Sequence, residues 1–251
     1  MPVNRPLTRM LPFNIFIVIH ITAGSIGLLS FWVPIVSRKG GRDHRRWGRV
    51  FTGSMLVTGC AAIGISICTL IAPLETHPQL SDAAWIRGVF GWMMLGLAIL
   101  TINLAWYGRL CVLNRNDHSR NLEWRNLLLQ YLLLAAATNC AWQGWRIGQP
   151  LMLGMPVIGW ATALTNLYFL YKPRRGPNDW LMEHIKALVG AGISVYTAFF
   201  AFGAVRTIPA LALHPVLWAI PLAVGLALIL YHQRNVRRST SSRRGLERVT
   251  T

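Results

Sequence analysis

The sequence predicts an all-α fold, a polytopic transmembrane bundle of about seven helices, and three observations carry that expectation. Hydrophobic residues make up 53% of the chain and charged residues only 13%, against roughly 25% charged in an ordinary soluble domain. Seven apolar stretches are each long enough to cross the bilayer, whose roughly 30 Å of hydrocarbon takes about 20 helical residues. The lysines and arginines between those stretches fall on alternate connections, as the positive-inside rule requires. A net charge of +17 distributed in this way marks topology, and no nucleic-acid partner is expected. In hydrocarbon each spanning segment must satisfy its own backbone groups, so the stretches are helices and not strands.

The first span, near 12–35, follows Arg5 and Arg9 and carries His20, with Gly24 and Gly27 just after it. It is longer than a signal-peptide core of about 7–15 residues and lacks a small-residue cleavage site. A basic turn, RKGGRDHRRWGR, leads into the second span near 49–73, which is punctuated by Gly53, Gly59 and Gly64. The next connection, ETHPQLSD, has no Lys or Arg. The third span, near 83–107, holds Asn103. Arg109, Arg115, Arg120 and Arg125 separate it from the fourth, near 126–146, which holds Thr138 and Asn139. The fifth, near 151–171, holds Asn166 and is followed by Lys172, Arg174 and Arg175. The sixth, near 181–205, has a small-residue line at Gly190, Ser194 and Ala198, of the kind that lets helices approach closely. TIPALALHP, again without Lys or Arg, precedes the seventh span near 214–232.

Residues 1–232 are thus expected to form one transmembrane domain. Residues 233–251 are expected to form a disordered tail whose arginines sit at anionic lipid headgroups. The charge pattern places the N-terminus outside and the C-terminus in the cytoplasm.

The functional signals are sparser. Cys60, Cys68, Cys111 and Cys140 have no C-x-x-C spacing and read as packing residues. All eight Asp and Glu fall in loops or within about a turn of a span end. A proton- or sodium-coupled transporter usually holds an acid in the bilayer core, so that class is disfavoured. Asn103, Asn139 and Asn166 are expected to be interhelical hydrogen-bonding groups. Arg45, Arg46 and Trp47 are expected at the headgroup level, guanidinium toward phosphate and indole in the interface.

Three histidines are candidate cofactor ligands. His20 lies in the middle of a span, where an ionisable residue is a site hypothesis; the alternative is a neutral ring hydrogen-bonded to a neighbour. His184 opens the sixth span roughly 18 Å away along the membrane normal, too far for the two to share one metal. His44, in the basic turn, stands at the same depth as His184. Asp43 and Glu183 immediately precede them, and a carboxylate near a histidine can fix its tautomer or complete a metal site. This level is a candidate metal, haem-propionate or headgroup site.

The run HITAGSIGLL at 20–29, followed by RKGGRDHRRWGRVF at 38–51, resembles an uncharacterised family of bacterial multi-pass membrane proteins with a first-span His and a KG…HRxxGRxF turn. EHIKALVGAGISVYTAFF at 183–200 resembles its second recurring segment. The resemblance implies an integral protein of the bacterial inner membrane, with His20, His44, Arg45, Gly48 and His184 as recurrent positions. It implies no activity.

Two main functional expectations follow. One is a structural or accessory subunit of a larger membrane complex of respiratory or photosynthetic type, with other membrane subunits as partners; close-packing faces and short loops favour it. The other is a membrane redox protein holding haem b or a quinone through its histidines. A small-molecule transporter is third.

Overall fold

The computed structural model describes residues 5–203 and 215–249. The last two residues of the sixth expected span and nearly all of the TIPALALHP loop lie outside them. The described residues form helices and no strand.

Seven long helices follow one another among the described residues: α1 (Arg5–Val36), α2 (Arg42–Ile71), α3 (Ala83–Leu113), α4 (Trp124–Arg146), α5 (Leu151–Tyr171), α6 (Asp179–Ala198) and α7 (Pro215–Val249). Six of them are long and apolar enough to cross a membrane; α4 is not among these. The chain therefore has the character of a multi-pass helical membrane protein. The lower apolarity of α4 has a tertiary cause. Its polar residues Asn126 and Gln130 face the bundle interior, fully buried, while Leu128, Tyr131 and Leu132 are exposed on the other side.

The ends of the helices are set by local chemistry. After Val36 the chain turns through Gly40, whose φ of +73° favours glycine. Lys39 Nζ and His44 Nδ1 then hydrogen-bond to the Pro34 carbonyl, and Lys39 also reaches that of Ile35. These last-turn oxygens have no partner within the helix. Asp82 caps α3, its carboxylate accepting from Ala84 N at 2.9 Å and Trp85 N at 3.0 Å. A π-helical segment, Arg87–Met93, interrupts α3 near its start, and a second, Phe199–Gly203, extends α6. The α4–α5 hairpin closes through Gly148 at φ +64°. There Gln149 N bonds Gly144 O and Gly148 N bonds Trp145 O, the paired geometry of a glycine helix stop.

Packing runs α1 on α2, α2 on α3, α3 on α6, α4 on α5 and α6 on α7. The core joins Phe31, Phe51, Met55, Leu104, Tyr107 and Ala191 among others. α2 and α6 barely touch. The gap between them, bridged by α1 and α3, is where the candidate site lies. Beyond residue 232, where the tail was expected to begin, α7 continues as helix to Val249. That stretch has no proline and a single glycine to stop it.

Candidate functional site

The site is built at the end of the bundle that carries the three basic connections. His44 lies in the first turn of α2 and His184 in the second turn of α6. Their ring centroids are 6.5 Å apart, with the planes inclined at 64°.

Each ring is oriented by a backbone carbonyl. His44 Nδ1 bonds Pro34 O at 3.0 Å, and His184 Nδ1 bonds Gly108 O at 2.9 Å. A carbonyl oxygen can only accept, so Nδ1 carries the proton in both rings. In the neutral tautomer that this bond selects, Nε2 carries the lone pair, the form in which imidazole ligates a metal. Gly108 matters to this arrangement. A Cβ there would lie 2.8 Å from Leu188 Cδ2 and 3.0 Å from Ala187 Cβ, so the missing side chain lets α3 come close enough for its carbonyl to reach His184.

The adjacent carboxylates do not orient the rings. Glu183 accepts from the hydroxyl of fully buried Tyr107 at 2.7 Å and pairs with Lys186 at 2.5 Å. Asp43 is exposed. Consecutive helical residues point about 100° apart, so a D-H or E-H dipeptide in a helix does not bring its two side chains together.

Both histidines line one cavity of about 1450 Å³. Phe31, Ile35, Phe51, Leu188 and Val189 supply an apolar wall, and Lys39, Arg42, Arg45, Arg49, Arg109 and Arg115 a basic mouth. Burial pulls the pKa of Lys39 below the ordinary lysine value. Arg46 also lines the cavity, whereas neighbouring Trp47 is part-exposed outside it. Sequence reasoning missed His232, contributed to the same cavity by α7. Its signal was available, because it ends the last apolar stretch at the level of the basic connections.

His20 is elsewhere. Its Nδ1 contacts Thr58 O at 3.1 Å, which stitches α1 to α2. His77 stacks on Phe90 at 4.3 Å and is held below the usual histidine pKa by burial. Among the described residues no three His, Cys, Asp or Glu side chains form a group that could hold a bare metal ion. All four cysteines are free.

A second polar centre lies between α3, α4 and α5. Asn166 Nδ2 donates to Asn103 Oδ1 and to Gln130 Oε1, each at 3.1 Å, and Gln130 continues the network to Asn126. Asn103, Gln130 and Asn166 are all completely buried. Asn139 is not part of it, and Gln130 was not anticipated from the sequence.

Comparison with family models, with curated proteins and with solved structures finds no match to this chain.

Proposed function

We propose that this chain is an integral membrane haem protein, in which His44 and His184 would together hold one haem b. The observation that carries the reading is the paired imidazoles, both with Nδ1 tied to a carbonyl, across a cavity between two helices. Two metal–nitrogen bonds of about 2 Å, plus about 1.2 Å from each nitrogen to its ring centre, would put such rings about 6.4 Å apart; the observed spacing is 6.5 Å. Haem brings four nitrogens of its own, so two histidines suffice where a bare ion would need more protein ligands. The apolar wall suits the macrocycle and the basic mouth its propionates. When bound, the group supplies one-electron chemistry. The protein's part is to hold both Nε2 atoms unprotonated, fix the ring orientations and keep water from the apolar side.

The seven long helices support seven spans, since α4 is joined to α5 by a four-residue turn and must return α5 to the opposite side. On that reading the N-terminus is outside and the basic end of the bundle is cytoplasmic. Four of the five recurrent positions of the family resembled, His44, Arg45, Gly48 and His184, line the one cavity while His20 does not; that clustering favours membership in the family and a bacterial inner-membrane location. A haem subunit would exchange electrons with a quinone or with partner subunits of a larger complex.

Protein purified from haem-replete cells tests this. A Soret band that shifts on dithionite, with the low-spin signature of two imidazole ligands, is expected. His44→Ala or His184→Ala should lose that signature, and His20→Leu should keep it. Protein that folds but stays colourless, and shows no spectral change on adding hemin, overturns the reading.

A further inference from the structure

The cavity is larger than one prosthetic group requires. Ligand sites of cofactor size occupy roughly 300–1,000 Å³, and this one has about 1450 Å³. Its charge is also one-sided: several arginines and Lys39 line it, and no Asp or Glu does. Ion pairs elsewhere join Arg120 to Asp117, Lys172 to Asp179 and Lys186 to Glu183. Among the described residues, Arg42, Arg45, Arg109 and Arg115 have no carboxylate partner. Two propionates would neutralise at most two of these cations. All four are exposed at the cavity mouth, and clefts lined by one sign of charge concentrate the opposite ion.

The geometry points to a second ligand in this cavity: a phosphate ester whose anionic head is held by Arg42, Arg45, Arg109 and Arg115 and whose hydrocarbon lies along Val112, Leu113 and Leu181, apart from the wall given to the macrocycle. Guanidinium forks match phosphate oxygens in bidentate pairs, which a point charge cannot do. Arg115 is braced over the Trp180 ring at 6.0 Å, and Trp180 lines the same mouth. The first turn of α2, which has no side-chain cap, adds unpaired N–H groups from the same side. The same chemistry could come from an anionic phospholipid of the leaflet or from a soluble organophosphate. The anion site stands on the one-sided basic lining without haem; that its occupant is a second ligand rests on the haem reading.

The full chain, delipidated in neutral detergent at about 0.15 M salt so that long-range attraction is screened, is titrated with phosphatidylglycerol in mixed micelles and separately with pyrophosphate. Native mass spectrometry and calorimetry follow the binding. One-to-one saturable binding of at least one probe is expected. Arg109→Gln/Arg115→Gln should weaken it at least tenfold, and so, independently, should Arg42→Gln/Arg45→Gln. Arg→Lys at the same pairs should recover only part. Phosphatidylglycerol binding that pyrophosphate cannot displace identifies a lipid site; competition between the two identifies a site for the phosphate itself. Absence of saturable binding by either probe overturns the inference, as does wild-type affinity in both glutamine variants. A colourless protein that binds phosphate fails the haem reading alone, and a haem protein that binds neither probe fails this one alone.

Discussion

Replacing Asn166 with leucine should destabilise the bundle by about 2–3 kcal/mol. Asn166 is completely buried, and its Nδ2 serves two acceptors on two other helices, each at 3.1 Å. Interhelical hydrogen bonds inside membrane proteins average about 0.6 kcal/mol and reach about 1.7, so the two bonds together account for about 1–3 kcal/mol. Stranding the acceptors Asn103 Oδ1 and Gln130 Oε1 moves the loss toward the upper end of that range, since a buried polar atom without a partner costs about 1–3 kcal/mol, and the removal of Asn166 Oδ1, itself buried without a partner, offsets part of it. Leucine keeps asparagine's branching at Cγ and is the bulkier side chain, so no cavity opens. Reversible unfolding in mixed detergent–SDS micelles, followed by circular dichroism, measures the loss. The double variant Asn103→Leu/Asn166→Leu removes one acceptor along with its donor, and the two single losses should therefore not add; a coupling of about 1 kcal/mol is expected. A single-variant loss below about 0.5 kcal/mol, or strict additivity, would refute the claim that this amide centre holds α3, α4 and α5 together.

Three further outcomes follow from particular contacts. Gly144→Ala should cost about 1–3 kcal/mol, because its Cβ would lie 2.5 Å from Met152 Cβ and 3.0 Å from that residue's backbone carbon. Gly27→Ala should cost less, since the atom it meets at 2.1 Å is the mobile end of Met55; a reversed order in the same unfolding assay would sink the comparison. Tyr107→Phe removes the hydroxyl that donates to Glu183 at 2.7 Å and should lower stability by about 1–3 kcal/mol. It should do so without changing any haem spectrum, since neither residue orients a ring nitrogen. His118, in the connection after α3, has its pKa lowered from 6.5, first by burial. The folded state then binds its proton less readily than the unfolded chain, so stability should fall as pH drops below about 6.5. His118→Asn should flatten that fall, and an unchanged pH profile of thermal unfolding would contradict it.

Much of this protein is legible in one dimension, because the quantities that decide it belong to each segment alone. Apolar length against a fixed hydrocarbon thickness places the helices, and the run of arginines marks one end of the bundle. Depth follows from residue count, so the common level of His44 and His184 could be read, as could the separation of His20 from them. Lateral neighbours could not be read. Lipid is as apolar as leucine, so hydrophobicity gives no preference for one helix partner over another, and fine packing and polar contacts choose instead. Only the folded arrangement brings α2 and α6 to either side of a cavity, ties their rings to the carbonyls of Pro34 and Gly108, and sends Glu183 to Tyr107. It also adds His232 to the site, turns Gln130 inward to join Asn103 and Asn166, and leaves Asn139 out. Each of these depends on which residue of another helix stands opposite, and no segment's own composition records that.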